Sequence, residues 1–348
     1  VVPVGNVLMT IENTDDNVPW LTNYVETLLM QVWYPTTVCT QSHLMKTIIL
    51  DFLEQTGTPS SIDYKLHDFG YRGSTSHESA GIGGLAHLVN FKGTDTFAAI
   101  QAAKDYYSED MAGHSIPAAE HSTITSWGKF NEVEAYKNML EQYPEGIVAV
   151  PSDSYDIYNA CENIWGDLLK DQVLNRNGIL VIRPDSGDPL KVIPVILEIL
   201  AEKFGHYVNE KGYKVLNDKV RIIQGDGIGL KSLESILATM QTKTWSADNI
   251  AFGSGGALLQ KVDRDTQKFA IKCSAAVVDG KLSDVYKSPV TDPGKSSLRG
   301  RLKLIKQNGV FQTVREELSN EPDLLETVYL NGELIREQTL EDVRKNVS

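Results

Sequence analysis

From Tyr64 onward, short apolar runs alternate with stretches whose apolar residues recur at helical spacing. The runs are Tyr64–Phe69, Leu85–Phe91, Ser115–Ala119, Gly146–Val150, Gly178–Ile182, Val220–Gln224, Asn249–Phe252 and Phe269–Val278. Helical periodicity covers Thr96–Tyr107, Asn131–Gln142, Tyr155–Leu169, Leu190–Phe204 and Leu230–Met240. Runs of this length read as strands. Strands joined by helices call for parallel pairing and right-handed crossovers. An α/β barrel accommodates them. An open doubly wound sheet is the alternative, because periodicity does not show closure.

The two ends of the chain read differently. Val7–Ile11 predicts a short strand, and Leu21, Tyr24, Val25, Leu28, Leu29 and Val32 predict a helix that Pro35 ends. A second helix is expected from Ser42 to about Glu54, then a loop at Gly57, Pro59 and Ser60. Near the C-terminus, Asn308-Gly309 separates Leu302–Lys306 from Val310–Val314, and Asn331-Gly332 separates Thr327–Leu330 from Glu333–Ile335. Both are hairpin signals. Thr339-Leu340-Glu341-Asp342 can cap a last short helix. The expected organisation is therefore an N-terminal cover over residues 1–60, a barrel over 61–295 and a β-rich segment over 296–348.

Composition narrows the class. A chain of 348 residues with 23% charged residues suits a soluble globular protein. No apolar run approaches a membrane span. No secretory leader opens the chain, although its first residue is Val rather than Met. Cys39, Cys161 and Cys273 are widely spaced and read as reduced thiols of a cytoplasmic protein. A net charge of −13 argues against a broad nucleic-acid surface, so any phosphate site must be a local cluster of positive groups.

Such clusters fall just after the strands. Phe69-Gly70-Tyr71-Arg72-Gly73 sets an aromatic, a planar cation and glycines side by side, which suits a flat ring next to an anion. Lys92-Gly93-Thr94-Asp95, Glu120-His121-Ser122-Thr123, Ser152-Asp153-Ser154, Arg183-Pro184-Asp185-Ser186 and Gly225-Asp226-Gly227 follow other runs. In a barrel they meet at one rim. Singly, each is an ordinary loop start or helix cap. Gly253-Ser254-Gly255-Gly256 before a helical run suits a phosphate but lacks the Lys-Ser/Thr of a P-loop. Arg264 and Lys272 either add charge there or are surface residues. Asp185 and Asp226 can accept from sugar hydroxyls or hold hydrated Mg²⁺, with an Arg183 salt bridge as the alternative for Asp185. His121 is a base, donor, phosphoryl acceptor or structural residue.

These motifs resemble, in order and over nearly the whole chain, those of the nicotinamide phosphoribosyltransferase family. The resemblance rests on His67–Gly73, Leu88–Thr96, Pro117–Thr123, Ser152–Asn159, Ile182–Gly187, Gln224–Gly227, Ala251–Gly256 and Leu258–Lys261. It implies an irregular α/β barrel of the type II phosphoribosyltransferase kind, with a flanking β-rich domain built from N- and C-terminal segments. It implies phosphoribosyl transfer from phosphoribosyl pyrophosphate to nicotinamide with Mg²⁺, coupled to ATP hydrolysis through a phosphohistidine, in a homodimer with shared active sites. By resemblance, Phe69 is one face of the ring clamp and Asp95 accepts from the carboxamide. Arg72 and Arg183 serve the ring and pyrophosphate region, and Asp153 lies with the substrate-binding groups. Asp185, Gly225 and Asp226 meet the ribose, while Gly255, Gly256, Arg264 and Lys272 hold the 5′-phosphate. His121 is the phosphoryl acceptor, with Arg183 and Asp185 as the other catalytic groups. Lys287 and Lys295 match basic positions near the phosphates.

One departure stands out. The family carries a further N-terminal segment with an Asp-Ser-Tyr-Lys stretch, whose tyrosine closes the ring clamp from the partner subunit. The expectation is that the 348-residue chain without it is weakly active or inactive. The alternatives are a nicotinate phosphoribosyltransferase, against which Asp95 argues by charge repulsion, and a catalytically inactive ligand-binding protein on the same scaffold.

Overall fold

The structure, a computed structural model, describes residues 1–347. Contacts divide it into two compact units, each taken by itself. The larger comprises Val38–Val262 and Val343–Asn346; the smaller comprises Val1–Thr37, Asp263–Asp342 and Val347. These divisions fall at 37/38 and 262/263, where the sequence reading sets its boundaries at 60/61 and 295/296. The helix Trp33–Thr56 explains the first difference, because its buried Met45, Ile49 and Leu53 belong to the core of the larger unit.

Eight strands lie in the larger unit: β1 (Leu66–Asp68), β2 (Gly93–Thr94), β3 (Glu145–Pro151), β4 (Asn177–Arg183), β5 (His206–Val208), β6 (Lys214–Leu216), β7 (Val220–Gln224) and β8 (Ile250–Ser254). Six form one parallel sheet in the order β2-β1-β8-β7-β4-β3, while β5 and β6 pair as a separate antiparallel ribbon. The sheet curls, and the segment His114–Ala119 spans its two edges. Thr94 N–H donates to His114 C=O and His114 N–H to Lys92 C=O on the β2 side; Ala119 N–H donates to Ala149 C=O and Ala149 N–H to Pro117 C=O on the β3 side. These bridges complete the ring, so the expected α/β barrel is present in irregular form.

Strand alternation then sorts side chains to two faces. Val148, Val150, Leu180, Ile182, Ile222, Ile250 and Phe252 point outward into the main core, against helices such as Pro189–Phe204 and Leu230–Thr242. Ala149, Val181 and Ile223 point inward as a separate cluster, joined by Phe69, Ile116 and Ala251. The inward face is small and contains the site described below.

Three of the expected barrel strands are something else, Ser115–Ala119 being the edge-spanning segment above, with an isolated bridge at Ala118 in place of a strand. Leu85–Phe91 is not a strand: Leu85–His87 end the helix His77–His87, and a turn follows. That helix is rich in glycine, a poor helix former. Its small Ala80, Gly81 and Gly84 are buried, and a Cβ on Gly84 would meet Ala99 Cβ of the helix Phe97–Tyr107 at 2.7 Å. Close helix packing outweighs propensity there. Of Phe269–Val278, only Ala275–Val278 is a strand, and it belongs to the smaller unit.

The smaller unit holds the helix Leu21–Met30 and three antiparallel hairpins. They pair β9 (Ala275–Val278) with β10 (Lys281–Asp284), β11 (Leu302–Gln307) with β12 (Val310–Arg315), and β13 (Tyr329–Leu330) with β14 (Glu333–Leu334). The last two are those signalled by Asn-Gly, and both Asn308 and Asn331 have the positive φ that such turns require. Val7–Ile11 carries no strand assignment. Pro35 does not end a helix but sits in the first turn of Trp33–Thr56, where a missing N–H costs nothing. Thr339 and Asp342 cap the final helix reciprocally, as expected. No helix among the described residues is long and apolar enough to cross a membrane.

Candidate active site

The inward positions at the carboxyl ends of the strands enclose a pocket lined by His67, Phe69, Asp95, Ser115, Ile116, Ala118, Ala119, Ala149, Arg183 and Ile223. Phe69 directly follows β1, and its N–H donates to Ser254 C=O at the end of β8. The Phe69 ring fills the place that any Cβ on Gly253 would need, so the neighbouring strand must be bare at that residue. The Arg183 guanidinium carbon lies 5.1 Å from the Phe69 ring centroid, a cation–π distance. A flat ligand entering beside Phe69 thus meets an apolar face and a positive charge together.

Arg183 Nη2 pairs with Asp185 Oδ2 at 2.6 Å. Arg183 Nε and Asp185 Oδ1 are nevertheless buried with no hydrogen-bond partner. Unmet groups of this kind are costly, and here one donor and one acceptor stand together at a strand end. Gly225 keeps the space open: a Cβ there would lie 3.0 Å from Asp185 Oδ1, 3.1 Å from Arg183 Nη2 and 3.1 Å from Phe69 Cε2.

Asp95 is exposed and accepts a short hydrogen bond from Ser115 Oγ on Oδ1. His67 stands one alternation before Phe69, with ring centroids 6.3 Å apart. Burial lowers the His67 pKa against the opposing pull of Asp95, so the imidazole is neutral near pH 7.

His121 begins the helix His121–Thr125, and its Nε2 meets Asp153 Oδ1 at 2.8 Å. The Asp153 side chain is 4% exposed and that of His121 43%, so the carboxylate is a fixed post and the imidazole faces outward. The post is well supported. Ser152 N–H donates to Arg183 C=O. Ser152 Oγ donates to Val150 C=O and accepts from Trp165 Nε1 at 3.0 Å. Trp165 stacks on Tyr136 at 4.4 Å, and Tyr136 donates to buried Glu132. Trp165 belongs to a π-helical stretch, Ala160–Leu168, within the helix expected over Tyr155–Leu169.

The structure therefore brings Phe69, Asp95 and Arg183 into one pocket wall, with Asp185 and Gly225 against Arg183, and pairs His121 with Asp153. Arg72 is exposed in the turn Tyr71–Gly73, and Asp226 is exposed after β7. Gly255 joins β8 to the four-residue helix Gly256–Leu259, which Gly256 begins. Arg264, Lys272, Lys287 and Lys295 belong to the smaller unit, where Arg264 pairs with Asp265 at 3.2 Å. Sequence reasoning missed His67 and Ser115 as pocket residues. Parity could have found His67, which shares the Phe69 face of β1.

A curled parallel sheet with a ring-and-cation pocket at its carboxyl end is the architecture of a phosphoribosyltransferase, and comparison with known proteins agrees. Residues 64–333 match the model of the Nicotinate phosphoribosyltransferase (NAPRTase) family. A nicotinamide phosphoribosyltransferase of Xanthomonas campestris pv. campestris (strain 8004) is 54% identical over 355 residues, covering 99% of this chain and 76% of that protein. One of Acinetobacter baylyi is 34% identical over 368 residues, covering 98% and 72%. The crystal structure of nicotinate-nucleotide pyrophosphorylase from Pyrococcus furiosus superposes with a TM-score of 0.59 at 20% identity, over 90% of this chain and 69% of that one, a likeness of fold alone. The chain belongs to the nicotinate phosphoribosyltransferase family, and it is an enzyme.

Proposed function

We propose that this enzyme transfers the phosphoribosyl group of phosphoribosyl pyrophosphate to nicotinamide, giving nicotinamide mononucleotide and pyrophosphate. The observation that carries the choice of base is Asp95. Ser115 occupies Oδ1, which leaves Oδ2 to accept from a carboxamide NH₂. Nicotinate would set a second carboxylate against it. The relatives from Xanthomonas and Acinetobacter, both nicotinamide phosphoribosyltransferases, support the same base, while the family is named for the acid.

In the reaction, the pyridine nitrogen attacks C1′ and the C1′–O bond to pyrophosphate breaks, its electron pair leaving with the pyrophosphate. Positive charge grows on the sugar and negative charge on the leaving group. Phe69 and Asp95 hold the ring in line, which converts binding into orientation. Arg183 stands toward the leaving group, and its unpartnered Nε is a ready donor. Asp185, Gly225 and Asp226 take the ribose, and Gly255 and Gly256 the 5′-phosphate. Arg72 serves the pyrophosphate.

Among the described residues, no three metal-ligating side chains gather. Mg²⁺ commonly binds through one or two carboxylates and substrate phosphates. The unpartnered Asp185 Oδ1 fits such a role. Bound there, Mg²⁺ would neutralise charge on the pyrophosphate.

ATP coupling belongs to the same reading. Asp153 engages His121 Nε2, which makes Nδ1 the nitrogen that takes the γ-phosphoryl group as the bond to ADP breaks. The protein works as a homodimer with shared sites, two-fold dimers being the commonest oligomer. Its three unpaired cysteines suit a reducing, cytoplasmic setting.

The test is a steady-state assay of the purified protein with the family's N-terminal segment supplied, with phosphoribosyl pyrophosphate, Mg²⁺ and each base, with and without ATP. Nicotinamide mononucleotide formed with stoichiometric pyrophosphate is the expected result. Ligand binding without product, or equal rates on nicotinate, overturns it.

A further inference from the structure

The ring clamp has a support that the reaction as described does not use. Asp68 ends β1 with no exposed surface. Its Oδ1 accepts from Gly70 N–H at 2.7 Å. Its Oδ2 has no hydrogen-bond partner, and a Cβ on Gly84 would lie only 3.0 Å from it. A carboxylate closed in this way is an unfavourable choice for a core, where an apolar side chain of the same size would pack without penalty. The backbone of the same residue is tied as well: its C=O accepts from Asp95 N–H at 2.9 Å. Phe69, the next residue, is held to Ser254, and Gly70 C=O accepts from Gln260 Nε2 at 3.0 Å.

The backbone around Phe69 is therefore held at three points: Phe69 N–H by Ser254 C=O, Gly70 N–H by the Asp68 carboxylate, and Gly70 C=O by Gln260 Nε2. One of these, the bond to Gly70 N–H, comes from the Asp68 side chain. Without it the chain on the C-terminal side of Phe69 is released, and the Phe69 Cα can shift and carry its ring out of the space that Gly253 leaves for it. We propose that Asp68 is a positioning residue for the base: its carboxylate fixes Gly70 N–H and thereby the plane of the Phe69 ring opposite Asp95. This rests on the reading of nicotinamide as substrate.

The test compares Asp68→Leu, which keeps most of the volume and removes the acceptor, with Asp68→Asn, which keeps an acceptor oxygen. Asp68→Leu is expected to raise KM for nicotinamide about tenfold, with KM for phosphoribosyl pyrophosphate within about twofold of wild type. Asp68→Asn restores both values. Amide exchange at Gly70, followed on the same proteins, is expected to speed up at least about tenfold in Asp68→Leu and not in Asp68→Asn. Equal rises in both KM values, a fall in kcat alone, or loss of function in Asp68→Asn would overturn the proposal. Should the wild-type protein not turn nicotinamide over, the substrate reading fails, and Gly70 exchange still decides this one: unchanged protection in Asp68→Leu refutes it. Should Asp68→Leu not fold, Asp68→Ala takes its place in the same comparison.

Discussion

Gly253 and Phe69 occupy one another's space: the ring lies where a Cβ on residue 253 would have to be. A methyl group there must displace the aromatic ring, because Gly253 lies within buried β8 and cannot yield. Gly253→Ala should cost about 1–3 kcal/mol in stability, the usual range for overpacking, and abolish saturable binding of the base. Chemical denaturation and the base KM measure the two effects. A variant with wild-type values of both would show that Phe69 has another place to go.

Base choice should reside in Asp95. Asp95→Ser removes the carboxylate and leaves a small hydroxyl, so the preference for nicotinamide over nicotinate should shrink by about tenfold or more. Competition between the two bases, read as the ratio of kcat/KM values, reports this directly. An unchanged ratio would move the origin of selectivity elsewhere in the pocket.

Coupling to ATP should depend on the His121–Asp153 pair. His121→Ala is expected to lose ATPase activity while retaining slow, ATP-independent synthesis. Asp153→Asn, which keeps a hydrogen-bonding shape but not the charge, should lower the ATPase rate by about 10–100-fold. Label from γ-labelled ATP retained on the His121→Ala protein would assign the phosphoryl group to another residue.

Asp68 should also leave a signature in stability. Burial raises its carboxyl from 3.8 to about 6, partly offset by the Gly70 N–H and the Thr96 side chain, while the Asp95 charge adds to the rise. Between those values the folded protein binds more protons than the unfolded chain, so stability falls as pH rises through that window. The penalty is complete above about pH 6 and amounts to up to about 3 kcal/mol. Asp68→Asn removes the titration. It should melt higher than wild type at pH 7, and the advantage should vanish near pH 4. The same offset at both values would mean that Asp68 does not titrate in this range.

Much of the larger unit could be read from the chain because its signals are local. Val220–Gln224 and Gly178–Ile182 are apolar runs closed by glycine or proline, and they are strands in the structure. The Asn308-Gly309 and Asn331-Gly332 turns are fixed by two residues each. Leu85–Phe91 failed because its helix depends on a partner helix accepting close contact at glycines, which no local pattern records. The site divides in the same way. Phe69, Asp95 and Arg183 follow strand ends and carry distinctive chemistry, whereas Ser115 gains its importance only when His114–Ala119 is placed across the sheet edges. Arg183 meeting the Phe69 ring is likewise a matter of tertiary placement, since 114 positions separate them along the chain (183 − 69).

The segment His114–Ala119 also decides where the ring is weakest. Between β3 and β4, seven residue pairs share a continuous ladder. Across the segment, two backbone bonds at Thr94 and His114 and two at Ala149 and Ala119, with the Ser115–Asp95 side-chain bond, hold the wall that carries Ser115. This joint borders the pocket. Ser115 thus stands on a wall tied to the sheet by isolated bridges, while the β3–β4 side of the ring is a continuous ladder.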